Sequence, residues 1–422
     1  MSFERLDEVT SEVATLAAAF RRAGFRVFLV GGIVRDLWLG ESVDGEGDID
    51  LTTDARPDQI KAVIGPIAEH IWTQGERFGT IGCIVGGRAF EITTHRSDAY
   101  EPHSRKPEVA FSGAIGADLS RRDFTINAMA IEVPGGDVID PFGGIVDLER
   151  KVLRTPVGAE QSFTDDPLRM LRAARFTARY ELSPDEALVA AMESLAPRLD
   201  IVAIERVRDE LDKLLAVDEL SAGLLLLAAT GVLERVLPGL AEAIAADDMA
   251  SLRLIESVDA DDRLGRLAAL ARADTPTSTR VEVHEWARRL RYSRDEMRAI
   301  EQTLAALDSL PGVPVDAGGL RRWLVEAGDQ RERVLGLARV VHHDLTPIVR
   351  DALATLAATE DLDDLGAPLD GAQVMAHLGV SEGRIIGDAL AHLAERRIAE
   401  GPMSEDDALA ALDEWWSDHL GE

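Results

Sequence analysis

Apolar and polar positions follow two different rhythms along this chain. Residues 3–23 carry the three-to-four-residue spacing of an amphipathic helix. "FRVFLV", 25–30, is an apolar run of strand length, and it enters "GGIVRDLWLG", 31–40, where a glycine turn opens a helix. "DIDLTT", 48–53, predicts a second strand and "PDQIKAVIGPI" a second helix. Residues 79–96 predict a hairpin turning at Gly86-Gly87, and "DVIDPFGGIVDL", 137–148, a short strand, a turn and a helix start. From about residue 151 the strand signals stop. "DPLRMLRAARFTARY", "DEALVAAMESLAPRL" and "AIERVRDELDKLLAV" are helical in period, and the rest continues as helices broken by Gly, Pro and Asp. The pattern predicts an α+β head, a small mixed sheet with helices, followed by a long all-α region. "GVPVDAGG", 312–319, reads as a linker.

Composition narrows the picture. The chain has 422 residues, enough for two to four domains, and few aromatics, which suits packed helices. Its longest apolar run, near 223–233, is too short for a bilayer span, and the acidic N-terminal segment has no apolar signal core. The single cysteine, Cys83, allows no internal disulfide and suggests a reducing compartment. The net charge of −31 argues against unselective binding of phosphate backbones. Part of that charge is local, since residues 401–422 hold seven acids and no Lys or Arg.

Candidate chemistry begins at "GDIDLTTD". Asp48 and Asp50 flank one residue of a strand, so their side chains share a face. Their Cα atoms would lie roughly 6.6 Å apart at ~3.3 Å per residue. That span suits oxygen ligands of one or two Mg²⁺ ions, which prefer carboxylate, phosphate and water. A third acid is expected in such sites, and Glu91 on the next strand pair is the candidate. An isolated D-x-D is ordinarily a solvated strand edge. Here it follows Gly31 and Gly32, which allow a backbone to approach a phosphate at a helix N-terminus. Arg35 on that helix is positioned to add a bidentate phosphate clamp.

These residues resemble the first motif of class II tRNA nucleotidyltransferases and bacterial poly(A) polymerases, members of the polymerase β-like nucleotidyltransferase superfamily. Four further motifs follow in family order: "DLSRRDFTINAMAI" at 118–131, "DPFGGIVDLERKVLRT" at 140–155, "DDPLRMLRAARF" at 165–176 and "IERVRDELDKLL" at 204–215. The resemblance spans roughly residues 20–235. It implies a nucleotidyltransferase head over 1–150, a neck of base- and RNA-binding helices over 151–235, a helical body over 236–310 and a helical tail over 311–422. It implies Asp48 and Asp50 as Mg²⁺ ligands and catalytic residues with Glu91, and Gly31, Gly32 and Arg35 at the triphosphate. It places Arg122 near the nucleotide, links Asp123 to the ribose, and adds Asn127 one turn further on.

In the fourth motif Asp166 and Arg169 are expected to share a helix face. An Asp accepts from the amino group that cytosine and adenine both carry, and an Arg donates to their ring nitrogen. Uracil and guanine present the opposite polarity, so one pair would read C and A and reject U and G without a template. Arg172 is expected to face the triphosphate or to stabilise the helix. Glu205 and Arg206 are expected to brace the fourth-motif helix.

The resemblance leaves CCA-adding, poly(A)-adding, CC-adding and A-adding activities open. The segment 96–119, with Arg105 and Lys106, is full-length, which disfavours a CC-only enzyme. "ERFGTIGCIVGGRAFEITT" lacks the Arg- and Phe-rich stretch of poly(A) relatives. His343-Asp344 suggests a metal phosphohydrolase pair but lacks a coherent further ligand set, so His342 and His343 read as helix-end polar residues. A non-catalytic RNA-binding relative and a small-molecule nucleotidyltransferase are the remaining alternatives. The intact acids argue against the first, the long helical extension against the second. The expectation is a cytoplasmic, Mg²⁺-dependent enzyme adding CMP and AMP from CTP and ATP to the tRNA 3′ end.

Overall fold

The computed structural model describes residues 6–41, 47–99, 108–111, 113–246, 249–275, 277 and 279–419. Arg105 and Lys106, and with them the centre of the 96–119 segment, lie outside the described residues. The chain forms two compact units, one running to Pro238 and the other from Gly239.

The first unit opens with α1 (Leu6–Arg22), β1 (Val27–Val30), α2 (Gly32–Leu39), β2 (Ile49–Thr53), α3 (Pro57–Ile64), β3 (His70–Trp72), β4 (Thr80–Val85) and β5 (Arg88–Thr94). There follow β6 (Arg96–Ala99), β7 (Glu108–Phe111), α4 (Ile115–Ser120), β8 (Ala130–Val133), β9 (Val138–Ile139) and α5 (Gly144–Arg150). Seven of these strands form one sheet in the order β3-β4-β5-β2-β1-β8-β9, while β6 and β7 pair separately. Only β2 and β5 run parallel within that sheet; its other pairings are antiparallel. Every residue of β1 is buried, as its unbroken apolar run requires, whereas β2 buries Ile49 and Leu51 and exposes Asp50. Phe28, Val30, Leu119, Ala128 and Ala130 join β1, α4 and β8 in one buried cluster.

The glycine of "DPFGG" has a packing cause. A Cβ on Gly144 would lie 2.3 Å from the Thr125 carbonyl oxygen, so only glycine lets α5 begin against that turn. Asp140 caps the same helix by accepting from the Gly144 and Ile145 amides at 2.7 and 3.0 Å.

The unit continues with β10 (Val152–Leu153), α6 (Ala159–Asp165), α7 (Arg169–Arg179), β11 (Ser183–Pro184), α8 (Glu186–Leu195), α9 (Ile204–Leu215), α10 (Ser221–Ala229) and α11 (Leu233–Val236). The strand signal therefore does not stop at 151. β10 and β11 form a two-residue parallel pair, too short to leave a period in the sequence. Helix α7 packs on α9 and α10, presenting Met170, Leu171, Ala174 and Ala178 as buried residues.

The second unit is helical: α12 (Pro238–Ala245), α13 (Ala250–Glu256), α14 (Arg263–Asp274), α15 (Arg280–Arg289), α16 (Arg294–Ser309), α17 (Ala317–Ala327), α18 (Arg331–Val341), α19 (Thr346–Ala357), α20 (Gly371–Leu378), α21 (Arg384–Glu400) and α22 (Glu405–His419). The 312–319 segment falls inside this unit, where Asp316 caps α17 by accepting from the Gly319 amide at 2.8 Å. His342 closes α18 with its Nε2 3.1 Å from the Leu307 carbonyl, and His343 pairs with Asp344 at the surface. No group of three or more His, Cys, Asp or Glu among the described residues is disposed to hold a metal ion. No helix among them is long and apolar enough to cross a membrane.

Candidate active site

The strand register brings the acids together. In the parallel pairing of β2 with β5, Asp50 lies directly opposite Glu91, so both side chains leave the same sheet face. Asp48 precedes the first residue of β2 and is exposed. Asp50 keeps access to solvent at its surface, but the protein atoms crowded around it thin its hydration and push its carboxyl above its ordinary value; Arg122 opposes this and the Asp48 charge adds to it. Glu91 is raised for the same reason, with Asp50 and then Asp48 contributing. A row of like charges bears on these two carboxyls, and all the donors are oxygen.

The two glycines end β1 and start α2. Gly31 has φ 78°, a region L side chains rarely adopt, and a Cβ there would lie 3.0 Å from Arg122 Nη1. Arg35 differs from the expected open phosphate clamp. It is buried, its Nε and Nη2 donate to the two Asp36 oxygens at 2.8 and 3.0 Å, and its Nη1 donates to Asn127 Oδ1 at 2.6 Å. Its guanidinium carbon lies 4.4 Å from the Tyr180 ring centre. The bidentate geometry is thus made on its neighbour, Asp36, and the side chain is held against α7.

Asn127 carries the link onward. Its Nδ2 donates to Asp123 Oδ1 at 3.0 Å, and Asp123 Oδ2 accepts from Arg172 Nε at 2.8 Å and also from Nη2. Arg172 Nη1 reaches Glu210 at 3.3 Å, and Arg175 Nε reaches its other oxygen at 3.0 Å. Burial by itself would raise Asp123, but Arg172 and Asn127 outweigh it and hold the carboxyl far below the usual carboxylate range. Glu210 is likewise lowered against its burial by Arg175, Arg172 and Lys213. Arg172 is bound into this chain of charges and also lines the cleft beside it.

A cleft of about 440 Å³ opens beside this network. Arg121, Arg122, Arg169, Arg172, Arg206 and Lys213 supply cations to its walls, against Asp123, Asp166, Asp209 and Glu210. Asp166 and Arg169 both line it, but not from one helix. Asp166 ends α6 in an extended conformation, φ −141°, and Arg169 begins α7. Pro167 between them has no N–H to continue a helix, which forces the break. Arg169 is 9% exposed; Nη1 donates to Ser162 Oγ at 2.7 Å and Nη2 to the Arg121 carbonyl. Arg206 Nη2 donates to Asp166 Oδ2 at 2.9 Å, so it contacts the site residue itself rather than merely bracing a helix.

Sequence reasoning passed over Asp118 and Glu210. Asp118 is completely buried and accepts from Arg121 Nη2 at 2.7 Å and Arg122 Nη2 at 3.1 Å. The signal was present: in "DLSRR" the acid stands three and four residues before the arginines, one turn of helix away. Arg122 joins the two halves of the site. It lines the cleft, abuts Gly31 and acts on the charge of Asp50.

A sheet-borne carboxylate set, a glycine-opened helix and a cationic cleft define a nucleotidyltransferase type of site. Residues 27–154 match the Poly A polymerase head domain family, and residues 181–244 match the family described as "Probable RNA and SrmB- binding site of polymerase A". The chain is 35% identical to the CCA-adding enzyme of Geobacillus kaustophilus over 338 residues, covering 77% of this chain and 78% of that protein. It is 30% identical to the CCA-adding enzyme of Latilactobacillus sakei over 391 residues, covering 92% and 93%. The match to the Geobacillus thermodenitrificans enzyme is 40% identical but spans about half of each chain, 52% and 53%. Among solved structures, the Bacillus stearothermophilus CCA-adding enzyme in complex with CTP superposes with a TM-score of 0.78 at 26% identity, covering 100% of both chains. The chain belongs to the family of CCA-adding enzymes.

Proposed function

We propose that this chain is a template-independent CCA-adding tRNA nucleotidyltransferase, transferring CMP and AMP from CTP and ATP to the tRNA 3′ end. The observation that supports this reading is the cleft shared by Asp166 and Arg169, reached from the carboxylate row through Arg122. In this proposal Asp48 and Asp50, with Glu91, hold Mg²⁺. The donor set fits: it is carboxylate oxygen only, the kind Mg²⁺ prefers, with Asp50 set directly opposite Glu91. When bound, the cation would lower the pKa of the RNA 3′-hydroxyl and neutralise charge on the transferring phosphoryl group.

The chain's own residues do the rest. The backbone at Gly31 and Gly32 receives the triphosphate with Arg122, while Arg35 and Asn127 hold that turn against α7. Asp123 faces the ribose, and Arg172 fixes its orientation. Asp166 accepts from the base amino group and Arg169 donates to its ring nitrogen, with a further N–H beyond the two already engaged. The 3′-oxygen forms a bond to the α-phosphorus, the bond to the bridging oxygen breaks, and pyrophosphate leaves. The division into head, neck, body and tail at residues 150, 235 and 310 belongs to this proposal. So does a cytoplasmic location, which the lone, buried Cys83 supports.

The test is incorporation on tRNA ending at the discriminator base, on tRNA ending in CC, and on an unstructured RNA, each with CTP, ATP or both. Three residues added to the first, one to the second and almost none to the third is the expected result. Long A tails on all three would make the protein a poly(A) polymerase.

A further inference from the structure

One residue of α6, Ser162, holds both Asp166 and Arg169. The helix buries Ala159, Ser162 and Phe163, the i, i+3 and i+4 positions of a single face. Ala159 and Phe163 are apolar. Ser162 between them is completely buried, at a place where an alanine would also fit. A hydroxyl is costly to bury without a partner, so its presence on this face needs a cause. The cause is Arg169, whose Nη1 donates to Ser162 Oγ at 2.7 Å in a charge-assisted bond. The Ser162 carbonyl in turn accepts from the Asp166 amide at 3.1 Å. The hydroxyl fixes one side chain and the backbone oxygen fixes the turn that carries the other.

The kind of tether matters. Arg169 opens α7, and among the described residues its guanidinium makes no hydrogen bond to a carboxylate. Both acceptors that hold it are neutral, Ser162 Oγ on Nη1 and the Arg121 carbonyl on Nη2. Fixing both terminal nitrogens sets the plane of the guanidinium and leaves its other N–H groups for a base. A carboxylate at position 162 would occupy the fork bidentately and cancel the charge. A serine takes a single N–H and leaves the charge intact. Arg121 is itself pinned, because its Nε and Nη2 donate to Asp118 Oδ1 at 3.0 and 2.7 Å. Its contact with Arg169 uses a backbone oxygen, which every residue type supplies. Ser162 is therefore the side chain through which the sequence sets the position of Arg169.

The structure assigns Ser162 as a positioning residue for base selection, acting through Arg169. This rests on the proposed reading of cytosine and adenine by Asp166 and Arg169, and supplies the reason that the reading is strict. An arginine only donates, so it rejects the ring N–H of uracil or guanine as long as it stays in place. Released from Ser162, the guanidinium can swing to the carbonyl oxygen that those bases also carry, and the clash of polarity is relieved. Selectivity depends on the tether as well as on the reader.

The test measures single-nucleotide addition by the full chain with CTP, ATP, UTP and GTP in turn, on a tRNA transcript lacking CCA and on one ending in CC. Ser162→Ala is expected to raise kcat/KM for UTP relative to CTP, and for GTP relative to ATP, about tenfold, the scale of a hydrogen bond to a charged group. Ser162→Thr, which keeps the hydroxyl, should keep most of the selectivity. On an Arg169→Ala background, Ser162→Ala should change these ratios no further, because the two residues act as one unit. Parent ratios in Ser162→Ala beside relaxed ratios in Arg169→Ala would overturn the assignment. So would an equal loss with every triphosphate, the mark of a serine needed only for packing. Parent ratios in Arg169→Ala would instead overturn base reading by Arg169, and the role of Ser162 with it.

Discussion

Arg206 and Asp166 are joined across 40 residues of sequence by a 2.9 Å hydrogen bond between Nη2 and Oδ2. The pair lines the cleft with side chains 43% and 23% exposed, so it contributes little to stability. Its consequence is orientation. Arg206→Ala should lower the melting temperature by no more than about 2–4 °C, since exposed pairs contribute less than about 1 kcal/mol. UTP and GTP incorporation relative to CTP should rise, because Asp166 loses a fixed rotamer. Single-nucleotide incorporation with each of the four triphosphates checks this.

Arg169 should have the larger effect on selection. Arg169→Ala removes the donor proposed to meet the base and also the bond to Ser162. Discrimination against UTP and GTP is expected to fall by about 10²-fold or more, in line with the loss of a buried polar contact. Triphosphate affinity should change far less. A variant that still rejects UTP and GTP as the parent does would remove Arg169 from the base-reading role.

Asp48→Ala should abolish addition of both nucleotides while circular dichroism and melting stay near wild type. Asp48 is exposed and precedes β2, so the sheet does not depend on it. Glu91→Gln should reduce both additions without altering the C-to-A ratio. Primer extension with CTP and with ATP measures both.

Asp123 sets an acid limit on stability. Its carboxyl is held far below the ordinary value in the folded chain, so folding favours the charged form. That contribution is complete above about pH 4, the ordinary carboxylate value, and is lost as pH falls towards the depressed folded value. Asp123→Asn should cost about 2–3 kcal/mol at neutral pH, below the range for a fully buried pair because Arg172 is 30% exposed and keeps Glu210. Denaturant titrations from pH 7 down to pH 3 should show a shallower acid limb in the variant, the two curves drawing closer as pH falls below about 4.

Gly144→Ala should destabilise the first unit by about 1–3 kcal/mol, the usual cost of forced overpacking. Its Cβ would stand 2.3 Å from a backbone oxygen that cannot rotate away. Thermal melting checks this.

Much of the head could be read from the chain because its signals are local. Alternation in "DIDLTT" gives the face shared by Asp48 and Asp50, and Gly86-Gly87 gives the hairpin that turns β4 into β5. Other features required distance. The bond from Arg35 to Asn127 spans 92 residues, and that from Arg172 to Asp123 spans 49. No period in the sequence encodes either. The single helix expected for Asp166 and Arg169 failed because a three-residue spacing is the same across a proline break as within a helix.

By itself, then, the sequence determined the kinds of chemistry available: paired acids on a strand, glycines before a helix, an acid and an arginine three residues apart. Periodicity and residue type are local properties, and they survive without a fold. Only the tertiary structure decided which charges meet. The parallel pairing of β2 with β5 sets Asp50 against Glu91, and the packing of α7 on α9 sets Arg172 against Glu210. Charge interactions depend on separation in space, and that separation is fixed by the packing of apolar faces such as those of β1 and α7, not by position along the chain.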